Sequence, residues 1–522
     1  MYDVLIKNCL IADGSGAPAF RGDVAINGQK VVRIAPKIHQ RAQCEIDAAD
    51  LVVAPGFIDC HNHSDVDALL GSSCYNSLEQ GVTTQITGHC GYSPAPYYEG
   101  AMLRLKKHLP DDEFFQLANK AQTMQSFMHA AERSLIGSNM AFFVGHHNIR
   151  GKAMGYSAEK PTEYQLSKMQ QDLIEAMEAG CLGMSTGLIY APSGHADTKE
   201  LIALAKVMAP YGGIYATHIR NESDHVLASL DEAIRIGQEA GVQVHISHLK
   251  VMGLHNAGLA GKILQRIEDA NASGLCVYAD QYPYTASSAA LSSRIPAKYH
   301  ADGMEKFLER LRQESVRNEI NISDADYHAM MIAKLPVTHE YENMTVGQIA
   351  IAECKRPVDV LCDILLANDG AGQGIYFNQS EPDMLCILSH PRVFGGTDSS
   401  NFPDERMDPE TYDGRHPRGQ AAIVRRLQLV RDHQMCSMEE AVRRITGGPA
   451  EAFHLEQQGF IKEGYDANIT VFNYEKLCAN ATYQQPYKDN DGIHYVLVNG
   501  QIAVSDGKVT GTIAGKVLNW QK

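Results

Sequence analysis

Between about Pro55 and Leu455, strand-like and helix-like segments alternate along the chain, and this alternation constrains the fold more than any other feature. Val82-Thr83-Thr84-Gln85-Ile86-Thr87 reads as a strand and Glu163 to Ala179 as an amphipathic helix. Strands follow at Gly213 to His218 and Val242 to His248. Helices at Asp231 to Ala240 and Ala260 to Ala272 lead to a further strand at Cys276 to Tyr278. Repeated β/α units build parallel sheet, and the length of this region suits a closed barrel. At both ends the pattern changes. From Tyr2 to about Ala54, short apolar runs are broken by turn signals, among them Asn27-Gly28 between two β-prone runs, a hairpin signature. The C-terminal end repeats that style in Asn468 to Phe472 and Tyr495 to Val504. The expected architecture is therefore α/β: a TIM-like (β/α)8 barrel over residues 55–455, with a small β-sandwich contributed by residues 1–54 and 456–522. A charged, helix-prone stretch at 297–346 interrupts the alternation, either as a peripheral insertion or as a lid over the barrel mouth.

Charge and composition narrow the partners. A formal net charge of -16 argues against nucleic acid or an anionic membrane surface as the main partner, while leaving room for a local basic pocket. No stretch approaches the roughly 20 apolar residues that span a bilayer. Met1 to Lys7 lacks the basic region and apolar segment of a signal peptide. The 12 cysteines form no Cys-x-x-Cys pair, and most sit in apolar or strand-like runs such as the one around Cys276. That is the pattern of buried reduced thiols, so a cytoplasmic setting is expected.

In a β/α barrel the chemistry sits where strands give way to loops. The run Pro55-Gly56-Phe57-Ile58-Asp59 leads into His61 and His63. Side chains two residues apart on an extended chain share a face, so both imidazoles can converge on one cation. Such a pair alone is more often core or surface than ligand. The weight comes from Cys90, His218, His248 and Asp398, which also fall at or just past strand-like ends. Neutral imidazole suits zinc, and a thiolate strengthens that preference. His245 has the opposite parity to His248 and is expected on the barrel exterior. His146 follows another strand-like end and reads equally as pocket lining or as structure. No phosphate-binding loop, dinucleotide fingerprint or Ser-centred nucleophile elbow stands out.

Taken in order, these segments carry a resemblance. They are Pro55 to Asp59 with His61 and His63, Gly81-Val82-Thr83-Thr84, Cys90-Gly91-Tyr92-Ser93-Pro94-Ala95-Pro96 and Gly183-Met184-Ser185-Thr186-Gly187-Leu188-Ile189-Tyr190. Thr217 to Glu222, Ser247 to Lys250, Tyr282-Pro283-Tyr284, Gly396-Thr397-Asp398 and His416-Pro417-Arg418 complete the set. Together they resemble the N-acyl-D-amino-acid deacylase (D-aminoacylase) family of the amidohydrolase superfamily. The resemblance implies a tight zinc site at Cys90, His218 and His248, where many relatives use a carboxylated lysine to bridge two metals. It implies a second site, weak or vacant, at His61, His63 and Asp398, with Asp398 also the general base. One departure is visible: His89 stands before Cys90, where the family pattern has Asn. Packing, or a hydrogen bond behind the ligands, is its expected role.

The implied reaction is hydrolysis of an N-acyl-D-amino acid to a carboxylate and a free D-amino acid. The substrate's free carboxylate needs a cationic fork. Arg418 can bind it bidentately, and Lys250, on the same strand parity as His248, adds a point charge. Tyr282 and Ser288 supply hydroxyl donors, and Tyr190 touches the acyl group or walls the cleft. Taken alone, Asp398 reads equally as a turn or helix cap before Ser399-Ser400. Two rival readings remain beside this one: a cyclic-amide hydrolase of dihydroorotase or hydantoinase type, and a metal-free, non-catalytic scaffold.

Overall fold

The computed structural model describes residues 1–99, 111–402 and 416–520. Its centre is a closed ring of eight parallel strands, counted among the described residues. Phe57–Asp59 pairs with Val82–Thr87, and that strand with Asn139–Phe142. After a break at Phe143, the same strand continues as Val144–Gly145 and pairs with Gly183–Gly187. Ile214–His218, Gln243–Ile246, Val277–Gln281 and Val393–Gly395 follow, each parallel to the last. The ring closes where Cys60 N donates to Gly395 O (3.0 Å) and Asp398 N to His61 O (2.8 Å).

The strands are apolar on both sides because both sides are covered. Ile214 and Ala216 face the barrel interior with Ile58, Ile86, Phe143, Phe394 and Phe453, while Tyr215, Val244 and Ile246 face the surrounding helices. Those helices carry an apolar stripe at helical spacing. In Val226–Ala240 the stripe is Val226, Leu230, Ala233, Ile236 and Ala240, and the helix ends on Gly241 in the left-handed region (φ 71°). Phe453, directly after the short helix Gly447–Ala452, seals one end of the barrel core. The opposite end, where the strands finish, is polar.

The terminal segments form one continuous nine-stranded sheet. N- and C-terminal contributions meet where Val52–Pro55 pairs antiparallel with Ile469–Phe472. Alternate residues divide between two cores. Val53, Ile469, Val471 and Leu497 pack within the sandwich, while Val52, Ala54, Phe472 and Val496 pack against barrel residues Phe57, Val82 and Ile423. The expected hairpin is present, with Asn27 paired to Lys30. The stretch 297–346 lies within a longer excursion from the barrel. That excursion has its own three-stranded sheet, Ser287–Ala290, Met330–Lys334 and Gln373–Tyr376, and its own apolar cluster. No helix of the described residues is long and apolar enough to cross a membrane.

Candidate metal centre

His61 and His63 follow the first barrel strand, Cys90 the second and Asp398 the eighth; His218 ends the fifth, and His248 follows the sixth. Three of these residues leave the strand by an unusual route. Cys90 (φ 54°), His248 (φ 35°) and Asp398 (φ 50°) all adopt left-handed backbone, which is unfavourable for residues other than glycine and clusters at functional sites. The Cys90 turn is pinned from behind. Ser185 Oγ donates to Gly88 O and accepts from Gly91 N (3.0 Å), bracketing His89 and Cys90.

The side chains converge. Cys90 Sγ lies 3.3 Å from His248 Nε2, 3.5 Å from His61 Nε2 and 3.8 Å from His218 Nδ1. A tetrahedral zinc ion with Zn–S of about 2.3 Å and Zn–N of about 2.0–2.1 Å holds such atoms about 3.6 Å apart. Two donor sets of this kind exist among the described residues: Cys90, His218 and His248, and His61, His63, Cys90 and Asp398, each with its atoms within 4.8 Å of one another. Cys90 belongs to both. The first set is buried, whereas the His63 side chain is 28% exposed, so the second set faces the mouth.

Carboxylates stand at the outer nitrogens of the imidazoles, a placement that orients metal-binding histidines. His61 Nδ1 donates to Asp280 Oδ2 (3.1 Å), and the other Asp280 oxygen accepts from His248 N (2.9 Å). Glu222 stands 3.1 Å from His248 Nδ1 and 3.4 Å from His218 Nε2. Burial holds the His61 and His218 imidazoles down to about 4, so both are neutral and free to ligate at neutral pH. Burial, and then the Asp398 charge, push the Cys90 thiol well above its ordinary value. A cation between these groups would supply the positive charge a thiolate needs, so the donor set fits a metal ion on distance, orientation and charge.

Burial would raise the Asp398 carboxyl, but Arg418, His248, His63 and His61 outweigh it and hold it well below the usual carboxylate range. Its Oδ1 is 3.1 Å from His63 Nε2, and its Oδ2 accepts from Arg418 Nη1 (2.7 Å). Lys250 is buried, donates to Glu222, and lies 2.8 Å from His248 Nδ1. Both cations pack on the Tyr282 ring, Arg418 at 4.9 Å and Lys250 at 5.8 Å. Lys250, Tyr282 and Arg418 are thus together beside the donors. Both charges are already countered, because a buried cation without a counter-ion is costly. Tyr190 stands 5.4 Å, ring to ring, from His218. Ser288 is half-buried on Ser287–Ala290, a strand tied to the group through His416 Nε2 and Ala286 O (2.9 Å). Among the described residues no hydrogen bond joins its hydroxyl to them.

Five further residues around the donors are placed by the fold. His245 is not outside the barrel: its neighbours Val244 and Ile246 face the helices, so it points inward and donates to Asp280 (2.8 Å). Parity failed because the strand stops at Ile246 and His248 turns inward through its left-handed backbone. His89 packs, stacked on His61 at 4.1 Å, and among the described residues neither ring nitrogen has a hydrogen-bond partner. His146 is buried, with its ring nitrogens on Ser193 (3.0 Å) and Glu200 (3.1 Å). Glu222 and Asp280 carried no assigned role. The i,i+4 spacing of His218 and Glu222 was the available signal for the first. Asp280 had only its place at the end of an apolar run.

The amidohydrolase family model matches residues 45–504. D-aminoacylase of Alcaligenes xylosoxydans xylosoxydans is 32% identical, over 99% of this chain and 97% of that one. N-acyl-D-glutamate deacylase of the same organism is 32% identical, over 95% and 93%. A crystal structure of N-acyl-D-glutamate deacylase from Bordetella bronchiseptica, complexed with zinc and a phosphonate mimic of the reaction tetrahedral intermediate, superposes with a TM-score of 0.80. It is 29% identical and covers 99% of each chain.

Proposed function

The chain belongs to the amidohydrolase family, in its D-aminoacylase branch, and on that premise we propose that it hydrolyses N-acyl-D-amino acids to a carboxylate and a free D-amino acid. One observation carries the reading: Cys90 Sγ sits within 3.8 Å of His248, His61 and His218 nitrogens, beside an ionised Asp398 and a two-cation clamp. Cys90, His218 and His248 hold one zinc ion tightly, and His61, His63 and Asp398 form a second site that is weak or vacant. Bound in the first site, zinc would supply Lewis acidity toward a carbonyl oxygen and a water.

The chain's own groups do the rest. Asp398, ionised at neutral pH, takes the water's proton and delivers it to the leaving nitrogen, serving as general base and then general acid. Arg418 spends one N–H on Asp398 and keeps the others for the substrate's free carboxylate, with Lys250 adding charge and Tyr282 a hydroxyl. Ser288 lines the same face, and Tyr190 walls the acyl side. Asp280, accepting from His61 Nδ1, favours the His61 tautomer that leaves Nε2 free to ligate, and Glu222 sets its charge beside His218 and His248. The D configuration is taken from the relatives.

A hydantoinase is disfavoured by the clamp, because a hydantoin ring has no free carboxylate, and both cyclic-amide types are disfavoured by Cys90 at the shared ligand position. A scaffold is disfavoured by a complete donor set. All 12 cysteines are unpaired, which suits a reducing cytoplasm. The test is a panel of N-acetyl-D-methionine, N-acetyl-D-glutamate, their L-enantiomers, hydantoin and dihydroorotate, with zinc content measured alongside. Hydrolysis of the D-substrates, lost on chelation and restored by zinc, is expected. Turnover of the ring substrates alone, or a folded and metal-free protein, would reject the proposal.

A further inference from the structure

Both oxygens of Asp398 are engaged: Oδ1 faces His63 Nε2 at 3.1 Å and His61 Nε2 at 3.5 Å, and Oδ2 accepts from Arg418 Nη1 at 2.7 Å. The arginine is a fixed part of the site. Its side chain is 8% exposed, and it opens the helix Arg418–Asp432. Its backbone N donates to His416 Nδ1 (3.1 Å), and its guanidinium packs over Tyr282. A divalent ion held by His61, His63 and Asp398 would have to share this one carboxylate with a permanent positive charge. In a buried setting such like-charge crowding is strongly unfavourable.

We infer that Arg418 is the resident counter-cation of the second metal site. By holding Asp398 it competes with a second divalent ion, and so sets the chain to work with a single metal while keeping Asp398 available as base. The inference rests on the metal-centre reading above and adds a specific residue that decides stoichiometry. A second ion admitted to the site would take Asp398 away from Arg418, and the base and the carboxylate clamp would be disturbed together.

Zinc titration of the chelator-stripped protein by calorimetry with a competing chelator separates the possibilities. Wild type is expected to show one tight and one weak binding step. In Arg418→Gln the second step tightens by at least tenfold, while the first, which involves Cys90, His218 and His248, stays within about twofold; that unchanged first step also certifies the fold. Arg425→Gln, removing the same charge two turns along the helix where the guanidinium packs on Tyr284 at 4.9 Å, leaves both steps in place. A second step unchanged in Arg418→Gln, or tightened equally in Arg425→Gln, overturns the inference and leaves the single-metal reading standing. Absence of any tight step in wild type rejects that reading instead. Independently of any variant, a crystal of wild type in excess zinc is expected to show an ion on His61, His63 and Asp398, with the Asp398–Arg418 pair parted. A two-zinc structure that keeps the pair intact also overturns the inference.

Discussion

At the scale of single residues, burial rather than charge decides which groups are neutral. His147 is held down to about 3 by burial and then by the charge of His146, and His300 to about 4 chiefly by burial. An unfolded histidine titrates near 6.5. As pH falls from about 6.5 toward 4 the unfolded chain therefore binds protons that the native state refuses, and stability drops across that window. His61 and His218, both held to about 4, add to the effect once metal is removed. Asp59 works the opposite way. Burial pushes it up to about 6 against hydrogen bonds from Thr397 and Asn62, so between about 6 and 4 the native state binds its proton more readily than the unfolded chain does. Four histidines outweigh one carboxyl. Urea unfolding of the chelator-stripped protein should give a midpoint that falls from pH 7 to pH 4.5; a flat or rising midpoint would contradict the assignment.

At the scale of elements, the barrel needs its floor. Phe453 is fully buried, 6.2 Å ring to ring from Phe143 and 4.9 Å from His245, and it closes the core beneath the metal-binding side chains. Phe453→Ala should cost about 3–5 kcal/mol in chemical denaturation, the usual range for removing a large buried aromatic side chain. A loss below about 1 kcal/mol would mean the floor is not load-sharing with the barrel. Much of this level was legible in sequence. Val82–Thr87 and Ala260–Ala272 coincide with their expected ranges, because alternating and helical periodicity survive in strands and helices packed on both sides. The sixth strand ends two residues early, at Ile246, because His248 enters left-handed backbone that periodicity does not encode. His61 and His63 meet as expected, 5.1 Å ring to ring, although they lie past the strand in a segment that bridges to Ser399. Glu222 and Asp280 were not legible as site residues. A carboxylate that orients a histidine shows its role only when the strands close and turn it inward.

At the scale of the whole molecule, closure of the ring does the assembling. Residues 61 and 398 are brought into contact by the pairing of the first and eighth strands, and the same closure sets Arg418 on Asp398. The sequence marked these groups as separate donors and cations. Their mutual pairing, Lys250 with Glu222 and Arg418 with Asp398, depends on that closure and so lay beyond what spacing conveys. The proposed hydrolysis depends on a thiolate and two imidazoles from three strand ends binding one ion. Zinc-edge X-ray absorption on protein loaded with one equivalent of zinc tests this directly. One sulfur scatterer at about 2.3 Å with nitrogen or oxygen at about 2.0–2.1 Å is the predicted shell, with the sulfur lost in Cys90→Ser. A shell of nitrogen and oxygen alone in the wild type would contradict it.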